Sequence, residues 1–231
     1  MIRLEEEDLE TFSLSGDAEI AVPFSVFRAA DGIVTITAYR IALDVANAFE
    51  AQFGSDPFSA AADRFLRAEL TPRMAKYGFA PDRRASDVIL EWERREPYGD
   101  LFGESAVLLT DTPAGGFNSF LTFAPEPASD DPYSYCAAVT DGGRIVSAAQ
   151  INDLPSDDGC PEINVETAPS FRKKGYAASA VRVLTDALIR RGDTVRYACR
   201  ASNAASVRTA AAAGFTKRGE RRSFVCYSIR F

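Results

Sequence analysis

The spacing of hydrophobic and polar positions changes along the chain, and each change predicts a different kind of element. Apolar residues recur three and four positions apart over 41–53 and again over 58–66, which predicts two helices. Gly54 ends the first pattern. Pro72 predicts a break or a fresh helix start, because proline lacks a backbone donor. With only one β-rich run, 33–37, before them, these patterns predict a mainly helical N-terminal region.

Beyond residue 105 the pattern becomes that of β-strands. Residues 106–109 are a short apolar run, and residues 118–123 alternate between apolar and polar side chains. Two further β-prone runs, 135–140 and 144–151, are separated by Asp141-Gly142-Gly143. An Asp-Gly turn between two such runs is typical of a β-hairpin.

A stretch rich in proline and acidic residues divides the chain. Residues 124–134 contain three prolines and three acidic side chains, which indicates an exposed connection. We therefore expect an N-terminal region of residues 1–132, helical and then with short strands, followed by a core of residues 133–231. No internal repeat is visible.

The last seventy residues show a regular order of elements. The pattern predicts a strand at 162–167, a helix from 177 to about 191, a strand at 194–200, a short Ala-rich helix at 204–213 and a final strand at 223–229. This order indicates an α/β (α+β) fold for the C-terminal part.

A basic glycine turn, Arg172-Lys173-Lys174-Gly175, joins the first of these strands to its helix. The first amide groups of a helix lack intrahelical partners, and the helix dipole places positive charge there. Glycine lets the backbone approach a ligand closely. These features predict a phosphate or pyrophosphate site, although the spacing is that of neither a Walker A loop nor a Rossmann fingerprint. A solvated basic turn is the alternative interpretation.

Composition changes this picture in two ways. The chain has no histidine, which excludes Ser-His and Cys-His catalysis and histidine metal sites. Proton transfer must therefore use carboxylates, Lys, Tyr, Cys or water. The net charge of −7 combines two opposite parts: residues 1–160 carry −16 and residues 161–231 carry +9. The basic part could attract a small polyanion, whereas the acidic surface disfavours nucleic acid and anionic membranes.

The cysteines and the apolar segments indicate a cytoplasmic protein. Cys136, Cys160, Cys199 and Cys226 are far apart, so we expect reduced, mostly buried thiols and no zinc site. No segment approaches the roughly 20 apolar residues of a transmembrane helix. The acidic N-terminus lacks the apolar core of a signal peptide.

Three motifs resemble those of the GNAT superfamily of N-acetyltransferases. Arg172-x-x-Gly175-x-Ala177, after a strand and opening a helix, resembles its acyl-CoA-binding signature. Asn203-Ala-Ala-Ser206 followed by Ala213-Gly214-Phe215 is similar to a second conserved segment of that family. The resemblance covers residues 133–231 and implies the GNAT fold, a mixed central sheet with two splayed parallel strands.

The resemblance also implies where acetyl-CoA binds. The cosubstrate would lie between strands 162–167 and 194–200, with its pyrophosphate on the loop, its pantetheine amides on backbone groups of the first strand, and its arm beside the second motif. The residues implied are Val165, Thr167, Arg172, Lys173, Lys174, Gly175, Tyr176, Ala177, Asn203 and Ser206. For Asn203, a helix N-cap is an equally supported interpretation.

The implied reaction is attack of a neutral amine on a thioester. An alkylamine with a pKa near 10.4 is roughly one part in a thousand neutral at pH 7, so a base helps. Glu162 stands where related enzymes often place a glutamate, and Glu166 is the second candidate; either carboxylate could instead pair with a nearby arginine.

One position departs from the family pattern. Many members carry a tyrosine, as acid for the leaving thiolate, at the position of Ala210, beside Thr209. The acid is therefore unassigned here, with Tyr176, Tyr197 and Tyr227 as candidates.

The sequence leaves the acceptor and turnover open. Acidic loops at 126–131 and 153–158 could attract a cationic small-molecule or peptide amine, or could only make the surface soluble. Residues 1–132 could cover the acceptor groove or be a degenerate copy of the same fold. We expect a monomer or homodimer that uses acetyl-CoA and no metal; the alternative is a CoA-binding sensor or interaction protein without turnover.

Overall fold

The computed structural model describes residues 2–4, 11–13, 19–82, 87–109, 118–123, 134–152 and 159–229. The chain folds into two compact units. The first comprises Met1–Leu90, Arg200–Ser202 and Arg218–Phe231, and the second comprises Glu91–Cys199 and Asn203–Lys217. These units do not coincide with the two expected regions, 1–132 and 133–231, which remain a prediction about domains.

The described elements follow one another in mixed order. The strands are β1 (Ile2–Leu4), β2 (Thr11–Ser13), β3 (Glu19–Ala21), β4 (Phe24–Ala29), β5 (Val34–Ala38), β6 (Phe79–Pro81), β7 (Val88–Arg94), β8 (Val107–Leu109), β9 (Cys136–Asp141), β10 (Arg144–Ile151), β11 (Ile163–Thr167), β12 (Val195–Arg200), β13 (Thr216–Ser223) and β14 (Cys226–Ser228). The helices are α1 (Leu43–Phe53), α2 (Ala60–Ala75), α3 (Tyr176–Arg190) and α4 (Ala204–Ala212).

Two groups of strands build the first unit. One has the order β1-β5-β4-β13, with β1 parallel to β5 and the other neighbours antiparallel. The other has the order β2-β3-β14-β6 and is antiparallel throughout. Strands β1–β5 precede the first helix, so the N-terminal region mixes strands and helices, and the expectation of a mainly helical region is wrong.

Helices α1 and α2 pack against the strands of the first unit to form its apolar core. Phe49 of α1 meets Phe24 of β4 edge to face, with ring centroids 5.0 Å apart. Leu66, Leu70 and Met74 form one fully buried stripe of α2. The buried core residues are Ala21, Phe24, Val26, Ile36, Ala38, Ala42, Val45, Ala46, Phe49, Ala62, Leu66, Leu70, Met74, Phe79, Phe224 and Cys226.

Helix α2 runs through Pro72, so the predicted break at this residue is wrong. Proline inside a helix removes one backbone hydrogen bond and costs about 3 kcal/mol. The buried stripe on either side, Leu70 and Met74, offsets that cost because tertiary packing supplies most of a helix's stability.

An antiparallel sheet of order β11-β10-β9-β8 forms the framework of the second unit. The predicted hairpin is confirmed: Asp141 pairs with Arg144, and Gly142 and Gly143 have φ angles of 56° and 76°. Positive φ at both central positions is the conformation that a tight hairpin requires. Helix α3 packs along β8–β11 and buries Ala180, Val181, Leu184 and Leu188.

Two segments differ from the sequence-based expectation. Residues 118–123 were expected to form a strand, but only Ser119 makes an isolated bridge, to Ile145, and the rest is bent. Strand β13 has a mostly charged sequence and was not predicted. Its pairing with β4 supplies the β structure that its own side chains do not indicate.

Candidate functional site

Strands β11 and β12 approach each other at one point and then separate. Glu162 and Arg196 form a single parallel bridge, and the Arg196 amide donates to the Pro161 carbonyl at 2.9 Å. Within residues 159–229, β11 then continues in the sheet of β10, whereas β12 lies beside β7. The predicted splay of two parallel strands is therefore present, and it opens toward their carboxyl ends.

Among the strands of the described residues, none lies beside one backbone edge of β11 after the splay. The Asn152 amide donates to the Glu162 carbonyl at 2.7 Å, and the Ala168 amide donates to the Val146 carbonyl at 2.9 Å. The backbone amide and carbonyl groups of the even-numbered residues of β11 therefore point toward β10. Backbone groups alternate in direction along a strand. The odd-numbered residues Val165 and Thr167 consequently direct their amide and carbonyl groups into the open cleft.

The basic loop follows β11 after a short 3₁₀ turn, Pro169–Phe171. Lys173 and Gly175 have φ angles of 65° and 83°, and this left-handed backbone curls the loop. The Arg172 side chain donates from Nε to the Thr167 carbonyl at 3.0 Å, which ties the loop to the end of the strand. Lys174 lies over the Phe171 ring, with Nζ 5.0 Å from the centroid.

The loop leads directly into the N-terminus of α3. The first bond of this helix runs from the Ser179 amide to the Gly175 carbonyl at 3.0 Å. The amides of Tyr176, Ala177 and Ala178 therefore lack intrahelical partners. A Cβ atom added at Gly175 would meet no described atom within 4 Å, so the space in front of this glycine is open.

The second motif lies at the start of α4. Asn203 caps this helix by accepting the Ser206 amide on Oδ1 at 3.2 Å. The Ser206 hydroxyl lies 2.7 Å from the Tyr197 hydroxyl. Burial raises the pKa of Tyr197 above its usual value, and the bond from Ser206 opposes that shift only partly. The N-cap interpretation of Asn203 is thus confirmed; a contact with CoA remains a prediction.

Glu162 stands at the narrow end of the cleft. Its Oε1 accepts a long hydrogen bond, 3.4 Å, from Asn152 Nδ2. Because directly bridged residues point to the same face, Glu162 shares its face with Arg196, which is buried and paired with Glu93. Burial alone would raise the pKa of Glu93, but hydrogen bonds from Arg196 and Arg95 outweigh it and lower the pKa.

Glu166 has different surroundings. Its two carboxylate oxygens accept hydrogen bonds from the Thr122 hydroxyl at 2.8 Å, and Oε2 also accepts the amides of Thr122 and Phe123 at 3.1 and 3.3 Å. The carboxylate therefore connects β11 to residues 118–123.

The position at which many family members carry a tyrosine is occupied here by a buried alanine. Ala210 is fully buried, and the Thr209 hydroxyl donates back to the Ala205 carbonyl at 3.1 Å. Among the other candidates for the acid, Tyr176 is the first residue of α3, Tyr197 is bonded to Ser206, and Tyr227 belongs to β14 of the first unit.

Several predictions concern the rest of the chain. The acidic loops 126–131 and 153–158, expected beside the acceptor, lie outside the described residues. The four cysteines form no disulfide with one another, and Cys136, Cys199 and Cys226 are buried, as expected.

Within the described part of the chain, no group of acidic and cysteine side chains is arranged to hold a metal ion. None of the helices described is long and apolar enough to cross a membrane.

The sequence of residues 86–215, more than half of the chain, matches the model of the acetyltransferase (GNAT) family. The chain belongs to the GNAT acetyltransferase family. The family and the α+β fold class that the sequence motifs indicated are therefore confirmed. None of the curated proteins matches this GNAT chain significantly.

Solved structures similar to this GNAT chain come from several bacteria. A GNAT-family protein of Novosphingobium aromaticivorans is 23% identical over 64% of this chain and 67% of its own, with a TM-score of 0.49. A GCN5-related N-acetyltransferase of Sphaerobacter thermophilus is 16% identical over 95% and 83%, with a TM-score of 0.45. A GNAT-family acetyltransferase of Colwellia psychrerythraea is 15% identical over 93% and 84%, with a TM-score of 0.48.

Sequence reasoning did not find two parts of this site. Arg196, the neighbour of Glu162, is one arginine among many in a basic segment, and only strand pairing distinguishes it. Residues 118–123 were assigned to a strand because they alternate, and nothing local indicates that they meet Glu166, more than forty residues later.

Proposed function

We propose that this GNAT-family chain is an N-acetyltransferase that moves an acetyl group from acetyl-CoA to a primary amine of a small molecule or peptide. The observation that supports this most is the open backbone edge of β11, continuous with the loop Arg172–Gly175 and the free amides of α3. Strand groups that no neighbouring described strand binds, such as those of Val165, suit the amides of a pantetheine arm, and free helix amides beside cationic side chains suit a pyrophosphate.

In the proposed reaction the amine nitrogen attacks the thioester carbonyl carbon. A C–N bond forms, the C–S bond breaks and the CoA thiolate leaves, while the ammonium proton passes to a base. Glu162, at the narrow end of the cleft, is the base we propose, acting directly or through water. A thiol with a pKa near 8.5 is a fair leaving group, so the reaction proceeds without an assigned acid.

One observation favours a second function, a CoA-binding sensor or interaction protein without turnover. The position where many family members carry the acidic tyrosine is Ala210, which is fully buried. The loop and the open strand edge would serve such a protein equally well.

Two measurements on the purified chain distinguish these functions. Thiol release from acetyl-CoA is followed with a panel of amines, including polyamines, aminoglycosides and peptide N-termini, and the melting temperature is recorded with and without CoA. We expect thiol release with at least one amine and a CoA-dependent rise in melting temperature. A rise without turnover for any amine would replace the enzyme with the sensor, and no rise at all would reject both.

Gly175→Leu tests the loop, and Gly143→Leu is a matched control. Both glycines have positive φ, 83° and 76°, and a Cβ meets nothing within 4 Å at either. Both substitutions therefore cost about 1–2 kcal/mol of backbone strain. We expect only Gly175→Leu to abolish CoA binding, measured by calorimetry, because only its side chain enters the proposed pyrophosphate site. Equal affinities in the two variants would reject the loop as the binding site.

A further inference from the structure

Residues 118–123 form a segment, the strap, that is held at Glu166 by several hydrogen bonds. The Thr122 hydroxyl lies 2.8 Å from both carboxylate oxygens, and the amides of Thr122 and Phe123 donate to one of them. Hydrogen bonds to a charged acceptor are roughly twice as strong as neutral ones. A single carboxylate on β11 thus fixes two consecutive residues of the strap.

The other end of the strap contacts the segment that leads into the basic loop. The Phe120 ring stacks on Phe171, with centroids 6.1 Å apart and an interplanar angle of 29°. The Arg144 guanidinium lies 3.4 Å from the Phe120 centroid on this stack. Phe171 immediately precedes Arg172, and Lys174 lies over its ring. The strap therefore contacts Phe171, the residue immediately before the basic loop.

The strap also covers one face of the sheet. Leu121 and Phe123 pack against a buried cluster that includes Ala138 and Ala148. Ala148 pairs directly with Glu166, so this cluster and the Glu166 side chain share a face. Glu162 is an even number of residues away on β11 and belongs to the same face. The strap thus supports the cleft from the side of the proposed base.

We propose that Glu166 is a positioning residue, which acts through the strap and Phe171 to hold the loop Arg172–Gly175 in its CoA-binding conformation. This inference rests on the proposed function of the cleft. The loop itself is solvent-exposed, so the left-handed backbone of Lys173, which is strained for a residue other than glycine, needs support from outside the loop. The strap supplies that support, and both oxygens of Glu166 are committed to it.

Three substitutions test this role: Glu166→Gln, Thr122→Val and Phe120→Leu. Thr122→Val keeps the shape of the side chain and removes only its hydroxyl. We expect each variant to raise the Kd for CoA about 5-fold or more. With acetyl-CoA at saturation, kcat and its pH profile stay as in the unsubstituted chain. Glu69→Gln, a surface glutamate of α2 that lies 3.7 Å from Arg73, is the matched control and should change neither quantity.

Two results of the binding and rate measurements would overturn the proposal. An unchanged Kd in both Glu166→Gln and Thr122→Val would show that the strap does not support the loop. A loss of kcat with an altered pH profile in Glu166→Gln, while Thr122→Val behaves like the unsubstituted chain, would instead make Glu166 the base.

Hydrogen exchange separates this proposal from the proposed function. Amide exchange over residues 172–178, measured without CoA, should be faster in Glu166→Gln and Thr122→Val than in Glu69→Gln. If the unsubstituted chain fails to bind CoA but these amides still exchange faster, the function is rejected while the support of the loop stands. Unchanged exchange rejects the support itself.

Discussion

Glu162 and Glu166 lie on the same face of one strand and have different surroundings. Glu166 accepts several hydrogen bonds from Thr122 and Phe123, whereas Glu162 has a long contact to Asn152 and the buried Arg196 on its face. The sequence alone left both glutamates as candidates for the base. Because both oxygens of Glu166 bind residues 118–123, we propose Glu166 for support, and Glu162 remains the proposed base.

Glu162→Gln tests the base directly. We expect kcat to fall about 10²-fold or more at pH 7, the lower end of what a general base contributes. The deficit should shrink as the pH approaches about 10, because an alkylamine is then largely neutral without a base. Rates from pH 6 to 10 with saturating acetyl-CoA check this, with Glu69→Gln as control. A deficit that is absent or constant over this range would reject Glu162.

Among the elements, the proposed CoA site is formed by one strand, the loop after it and the helix that follows. The β11 pattern, the glycine turn and the apolar stripe of α3 are local features, and the structure has all three close to their predicted bounds. The predictions that are wrong are those that depend on partners. Residues 118–123 alternate like a strand but bind a carboxylate, and Pro72 lies inside a helix because buried neighbours stabilise it.

The caps of α4 and α2 give an element-scale prediction. Asn203→Ala removes the side chain that accepts the Ser206 amide and should lower the free energy of unfolding by about 1 kcal/mol. Asn203→Ser should retain most of it, because serine is also a good N-cap. Ser59→Ala, at the cap of α2, is the matched control for stability.

Urea unfolding gives these stabilities, and calorimetry gives the CoA affinities. If Asn203 also contacts CoA, as the family resemblance implies, both Asn203 variants bind CoA more weakly than Ser59→Ala does. Affinities equal to that of Ser59→Ala would limit Asn203 to capping.

Across the whole molecule, ion pairs reduce the positive charge that the C-terminal part can present to a ligand. Part of the positive charge beyond residue 160 is neutralised by acidic residues that come earlier in the chain: Arg182 pairs with Glu104, Arg196 with Glu93, and Arg200 with Asp87. The basic side chains of the loop, by contrast, are exposed. The net charge of the C-terminal part therefore overstates the positive potential offered to a ligand.

Arg222 shows how the C-terminal residues complete the first unit. Its buried guanidinium donates to the carbonyls of Pro57, Phe58 and Ser59 at 2.8–3.1 Å, more than 160 residues earlier in the chain. We expect Arg222→Met to lower the free energy of unfolding by about 3 kcal/mol, because three buried or partly buried carbonyls lose their donor. Arg221→Met, the same change at the next residue, should cost much less, as measured by urea unfolding. Equal effects would mean that lost charge, not lost hydrogen bonds, is responsible.

The family motifs, the hairpin at Gly142-Gly143, the basic loop and the helix after it are each encoded by residues close together in the chain, so the amino-acid sequence is enough to predict them. The lack of histidine in the sequence also restricts the choice of base. Three relations are visible only in the folded chain: β11 and β12 separate after one bridge, Arg196 shares the face of Glu162, and Glu166 holds residues 118–123. These relations join residues tens of positions apart, and strand pairing and packing create them, so no local pattern of side chains could specify them.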